Sequence, residues 1–230
     1  MKRLRIVHST GFSYGGEVTA SYNEARMLPA SVESQLVLFS NLDILPLSSQ
    51  SNYVDYWGSR VASFEVLTGH KELSLTATSL VEVHEREHVS ECMSWAELEV
   101  AAELSMDAVE NLSQTRRTEP PAEVVALAKD IAAKSDDACE SALEISKAIG
   151  NAIQYMSGVT GVATTAAEAW AGGKGVCQDI AHLALGALRS VGIPARYVSG
   201  YLHPKPDAAI GETVTGESHA WLEWFCNGQW

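Results

Sequence analysis

Gly172-Gly173-Lys174-Gly175-Val176-Cys177-Gln178-Asp179-Ile180-Ala181-His182-Leu183-Ala184-Leu185-Gly186-Ala187-Leu188 is the stretch on which the fold turns. A glycine-rich run leads into a cysteine that opens an amphipathic helix, with Ile180, Leu183, Ala184, Ala187, Leu188 and Val191 on one apolar face. A thiol at a helix start meets backbone N–H groups that lack helical partners and the positive end of the macrodipole, and both favour the thiolate. Gly192 stands where a C-cap glycine belongs, and Pro194 prevents continuation. Ala195 to Leu202 then reads as a strand. A polar loop runs from His203 to about Glu217, and Ser218-His219-Ala220-Trp221-Leu222-Glu223-Trp224 reads as a second strand with a histidine near its start.

Upstream of this stretch the pattern is helical back to about residue 90. Ser94-Trp95-Ala96-Glu97 fits a capping box, and Leu98, Ala101, Ala102, Met106 and Val109 follow at helical spacing. Pro120-Pro121 breaks that helix and begins the next, through Val124, Val125, Leu127, Ala128 and Ile131. Asp137-Ala138-Cys139-Glu140 is a second candidate box, for a helix running to about Met156. Thr165-Ala166-Ala167-Glu168 is a third, for a short helix stopped at Gly172-Gly173.

Residues 1 to about 90 read instead as strands. Leu36 to Phe39, Val61 to Val66 and Leu73 to Val83 are short, rich in β-formers and partly alternating, with Asp55 to Arg60 as a tight turn. Closely spaced strands without helices between them predict an antiparallel sandwich. At the other end, Asn227-Gly228 is a two-residue hairpin signal whose return strand would begin with Gln229-Trp230. The expectation is that the chain is the front part of a longer polypeptide.

With 230 residues and 46% hydrophobic content the chain has ample material for a core, and its net charge is −13. Nucleic acid and anionic membranes need a basic footprint, so neither is expected as a partner. The four cysteines, Cys92, Cys139, Cys177 and Cys226, lack the dense pairing of a disulfide framework, and apart from Cys177 they read as core or incidental thiols. The N-terminus lacks the apolar run of a signal peptide, and no segment approaches the ~20 apolar residues of a membrane span. A cytoplasmic location is expected. His84 and His88 have no evident third ligand, so a solvated segment linking the two regions is expected, with no metal and no cofactor.

Attack on an amide carbonyl requires a thiolate, a base that moves protons and donors for the oxyanion. Cys177 supplies the first, and its own N–H is a natural donor. His219, on a neighbouring strand, supplies the second. A lone cysteine and a lone histidine would most simply be a buried thiol and a satisfied core imidazole. The glycines and the helix-start position favour the chemical reading.

Three linked motifs in order, Ala171 to His182, Gly192 to Tyr201 and Ser218 to Glu223, closely resemble the bacterial transglutaminase-like superfamily. Ser21 to Pro29, Asp55 to Arg60 and Thr78 to Val83 resemble the bacterial N-terminal domain of that family. The resemblance implies an α+β protein: an N-terminal antiparallel β-sandwich over residues 1–90 and a papain-like, transglutaminase-like core over residues 91–230, incomplete at its C-terminus. It implies Cys177 as nucleophile, His219 as general base and a triad aspartate on the next strand, beyond Trp230. Activity of the chain as it stands is therefore expected to be weak or absent.

Asp179 is placed well against the helix dipole and reads as structural. His182 lies ~140° around the helix from Cys177, which suits packing better than catalysis. Gln178 is a further candidate for the oxyanion site. The expected activity is acyl transfer from amide bonds of a peptide or protein, with a lean towards hydrolysis over transamidation. The rival is a catalytically inactive fold that binds a peptide or partner protein.

Overall fold

The computed structural model describes residues 1–85, 93–205 and 207–230, and the chain divides into two compact units, Met1–His88 and Val89–Trp230. The first unit holds β1 (Lys2–Val18), β2 (Ser21–Leu28), β3 (Gln35–Leu45), β4 (Ser49–Val54), β5 (Arg60–Val66) and β6 (His70–Val83). They form two antiparallel sheets, ordered β1-β6-β3 and β2-β5-β4. Leu73, Leu75 and Ala77 of β6, with Leu42 and Ile44 of β3, share one core with Ala62, Phe64 and Val66 of β5 and Ala25 of β2. Alternate residues of both sheets are thus turned inward, as in a sandwich. The turn expected after β4 is held by Asp55, whose Oδ1 accepts from the N–H groups of Trp57 and Ser59, with Gly58 at φ +79°. Strand β4 carries no apolar alternation, and all its residues are exposed. Ladder pairing with β5 defines it, not hydrophobic pattern.

The second unit is built around one helix. Its elements are α1 (Trp95–Glu103), α2 (Met106–Glu110), α3 (Ala122–Ala132), α4 (Ala138–Ala152), β7 (Gln154–Tyr155), α5 (Ala166–Gly172), β8 (Lys174–Gly175), α6 (Cys177–Ser190), β9 (Ala195–Tyr201) and β10 (Ser218–Trp224). Strands β9 and β10 make an antiparallel ribbon, and β7 and β8 a short parallel pair. The capping boxes at Ser94 and Thr165 both close. The third does not: Asp137 caps Cys139 and Glu140, but the Glu140 carboxylate turns to the Ser135 hydroxyl.

Three expectations about these helices are corrected. The spacing from Leu98 to Val109 predicts one helix, but the chain breaks it. Ser105 adopts an extended backbone and its hydroxyl accepts from Ala108 N–H, starting α2 afresh. A serine that offers the backbone a local partner competes with helix continuation. The helix expected to reach Met156 ends at Ala152, because Gln154 N–H and Met156 N–H bond to the carbonyls of Gly173 and Gly175 instead. Finally, α6 does not have a single apolar face. Ala181 and Leu183 to Leu188 are all buried, enclosed by α3, α4, α5 and the β9–β10 ribbon. Burying each leucine stabilises by about 1.5–3 kcal/mol, so α6 is the main hydrophobic contributor of this unit.

Close packing on α6 is sharpest at Gly186, where a Cβ would lie 2.0 Å from the carbonyl oxygen of Thr118. The Cys139–Cys226 disulfide joins the first turn of α4 to the residue pair after β10. This corrects the reading of both as incidental thiols. A separation of 87 residues gives no sequence signal of pairing. Cys177 is the free cysteine among the described residues. Cys92, His88 and the expected boundary near residue 90 lie outside them.

Two stability outcomes follow. Gly186→Ala, which in an open helix would stabilise by about 1 kcal/mol, is expected here to destabilise by about 1–3 kcal/mol through overpacking against the Thr118 carbonyl, read as a lowered urea midpoint. Cys139→Ser with Cys226→Ser is expected to lower unfolding free energy by about 2–4 kcal/mol. Peptide mapping without reduction should find that bond and a free Cys177.

Candidate active site

The approach to Cys177 is fixed by backbone geometry. Gly173, left-handed at φ +62°, ends α5 and turns the chain into β8, which pairs with β7. Val176 is extended, and Cys177 is the first residue of α6. Asp179 then reaches back: its Oδ2 accepts from Val176 N–H at 2.8 Å and from the Thr160 hydroxyl at 2.6 Å. Gly175 is glycine for the same reason, since a Cβ there would come within 2.7 Å of Asp179 Oδ2. Only 1% of Asp179 is exposed, and its other oxygen, Oδ1, has no partner. The carboxylate thus secures the turn before the nucleophile and lies near the positive end of the helix. The N–H groups of Cys177 and Gln178 make no hydrogen bond among the described residues and remain as donors beside the half-buried sulfur.

The other anticipated residues are placed as follows. The Gln178 side chain is turned to the 158–165 loop, donating to the Gly161 carbonyl at 3.3 Å, so its amide is engaged away from an oxyanion. His182 packs its ring on Tyr197, with centroids 5.4 Å apart and a 35° tilt, and its Nδ1 is buried without a partner. Burial lowers the His182 pKa, opposed by the nearby Asp179 charge and aided by Arg117. His219 pairs with Gly200 in the ribbon. Opposed residues of an antiparallel pair share a face, so His219, Trp221 and Glu223 lie with Val198 and Arg196. Ala220, Leu222 and Trp224 lie with Tyr197 and Ala195 on the other face, and Leu222, Trp224 and Ala195 pack into the core that holds α6. The Trp221 indole covers Gly200, where a Cβ would meet it at 2.6 Å. No hydrogen bond joins Cys177 to His219 among the described residues.

At the far end of the ribbon, Arg196 bridges Glu223 at 2.7 Å, lies 3.6 Å from Asp107 and stacks 4.5 Å over the Trp230 ring. The Asn227-Gly228 turn forms as the sequence predicts, with φ of 48° and 75° and reciprocal bonds between Cys226 and Gln229. Beside the start of α6 an open cavity of about 490 Å³ is lined by Val159, Thr160, Ala163, Thr164, Glu168, Gly172 and Lys174. Sequence reading missed Thr160 and Tyr197. Thr160 carries no local signal, whereas strand alternation could have marked Tyr197 once the β9–β10 register was known.

Residues 125–230 match the sequence profile of the Transglutaminase-like superfamily, and residues 4–82 match that of the Bacterial transglutaminase-like N-terminal region. The chain belongs to the transglutaminase-like superfamily. An uncharacterized protein of Mycobacterium leprae is 41% identical over 231 residues, which cover 100% of this chain and 82% of that one. An uncharacterized protein of Mycobacterium tuberculosis H37Rv is 30% identical over 230 residues, covering 95% of this chain and 72% of its own. Among solved structures, one from Cytophaga hutchinsonii, named as a candidate cysteine protease, superposes with a TM-score of 0.76 at 22% identity, covering 98% of this chain and 73% of that chain. Shared architecture of this kind shows the α+β fold rather than an activity.

The His182 shift has a definite sign. A histidine whose folded pKa lies below its unfolded value binds fewer protons folded than unfolded, so stability is present above the ordinary value of 6.5 and falls as pH drops below it. The expected outcome is that His182→Phe flattens the fall in thermal midpoint between neutral and mildly acidic pH. An unchanged slope would assign that fall to other groups.

Proposed function

We propose that the protein is a cysteine-nucleophile acyl-transfer enzyme acting on amide bonds of peptides or proteins. The Cys177 thiolate attacks the carbonyl carbon, forming a C–S bond as the carbonyl electron pair moves to oxygen. The N–H groups of Cys177 and Gln178 receive that charge. His219, holding the proton taken from the Cys177 thiol, gives it to the nitrogen as the oxyanion pair returns and the C–N bond breaks. Water or an amine then releases the acyl group from sulfur. Hydrolysis is the favoured outcome. The observation that carries this reading is a free thiol at the start of a buried helix, beside two uncommitted N–H groups, in a chain of this superfamily. The register sets His219 on the ribbon face opposite the one packed on α6, so its engagement with the thiol is part of the proposal, as is an acid on a strand after β10.

Among the described residues no helix is long and apolar enough to cross a membrane. The Cys139–Cys226 bond belongs to a type that persists in oxidising compartments and is rare in the cytosol, which weighs against the cytoplasmic location expected from the sequence.

The test is iodoacetamide labelling across pH, followed by peptide mapping. Near neutral pH Cys177 is expected to be alkylated faster than a model thiol, and His219→Ala to slow that labelling. A version extended past Trp230 should show turnover on a peptide library, and Cys177→Ala should abolish that turnover. Labelling no faster than a model thiol, together with peptide binding that survives Cys177→Ala, would establish the non-catalytic binding module instead.

A further inference from the structure

Tyr197 has no part in the scheme above, yet it lies within electrostatic reach of Cys177. Its pairing with Leu222 puts it on the ribbon face that packs on α6, and its ring rests on His182. The residue is 40% exposed, so while His182 supports the ring from the helix, part of the side chain is open to a ligand. Its hydroxyl makes no hydrogen bond among the described residues. We infer that the Tyr197 hydroxyl is a further catalytic group, donating a hydrogen bond to the substrate carbonyl oxygen as that oxygen becomes an oxyanion on attack by Cys177.

Three observations support this assignment, which rests on the cysteine-nucleophile reading. The Gln178 amide, the donor that the sequence offers for this task, is committed to Gly161. A side-chain donor beside the two backbone N–H groups must therefore come from another residue. Burial first, then the nearby Cys177 and Asp179 charges, push the Tyr197 pKa up, so the phenol keeps a proton to donate. The ring is also held in place independently of any ligand, because His182 supports it from the helix. A preorganised donor costs no reorientation when charge develops on the oxygen. No proton leaves Tyr197 in this step: the C–S bond forms, the carbonyl pair becomes the oxyanion, and collapse returns that pair as the C–N bond breaks.

The test separates oxyanion stabilisation from thiol activation. A peptide aldehyde adds reversibly to a cysteine and generates a tetrahedral oxygen, whereas iodoacetamide alkylates the same sulfur without one. Tyr197→Phe keeps the ring against His182 and removes only the oxygen. Protection of Cys177 from iodoacetamide by the aldehyde is expected to weaken about 10-fold or more in Tyr197→Phe, against the loss of about 10²–10³ in kcat when a single oxyanion donor is removed from an enzyme. Labelling without aldehyde and the thermal midpoint should be unchanged. Equal protection in both proteins would overturn the inference while leaving Cys177 as nucleophile. A matching fall in the rate without aldehyde would show that Tyr197 acts on the sulfur, and a lowered midpoint would show a packing role. Either result overturns it. If the aldehyde does not protect Cys177 in the unsubstituted protein, the nucleophile reading itself fails.

Discussion

Enclosure of α6 is the constraint on which the second unit depends. A helix covered by three others and by a two-stranded ribbon must be apolar nearly all round, and Ala181 to Leu188 meet that demand except at His182. Small residues on this helix are as necessary as large ones. Gly186 lets the carbonyl of Thr118 approach, and Arg189 satisfies the carbonyls of Ala195 and Ser113 where the helix gives way to β9. The same enclosure leaves only the two ends of α6 near the surface, and Cys177 stands at the first of them.

Holding a cysteine at that point requires control of the turn before it, and Asp179 supplies this at some cost. A carboxylate 99% removed from solvent is expensive unless its oxygens find donors, and Oδ2 finds two. Oδ1 finds none, and neither does Nδ1 of His182 one turn further on. Unsatisfied polar atoms are rare in native interiors; besides the Ser48 and Ser141 hydroxyls elsewhere in the chain, the described residues show them at these two positions of α6. Here both border the residues around Cys177 rather than the general core, so polarity inside this helix is confined to the end that carries the thiol.

Much of this was legible in the sequence, for identifiable reasons. The α6 helix, the two ribbon strands, the capping boxes at Ser94 and Thr165 and the Asn227-Gly228 turn rest on local periodicity or turn chemistry. All of them form. The sandwich was legible because β5 and β6 alternate. What escaped depends on partners distant in sequence. The β7–β8 pair is two residues long, too short for any period, and the break at Ser105 turns on one hydroxyl outcompeting a helical pattern. The placement of Tyr197 needs the ribbon register. Alternation also put His219 on a face, but a strand pattern read alone cannot say which face meets the helix.

The disulfide has a consequence for how damage would be survived. Most of the stretch from Asp207 to Glu217, between the two ribbon strands, is open to solvent, as a segment cut by proteases must be. A cut there would part Cys177 and most of the core from the fragment bearing His219. Cys139 and Cys226 fall on opposite sides of that cut, so the pieces would stay covalently joined. A nicked molecule would then run as one species without reductant and two with it, and the ribbon could keep its register as a two-chain form.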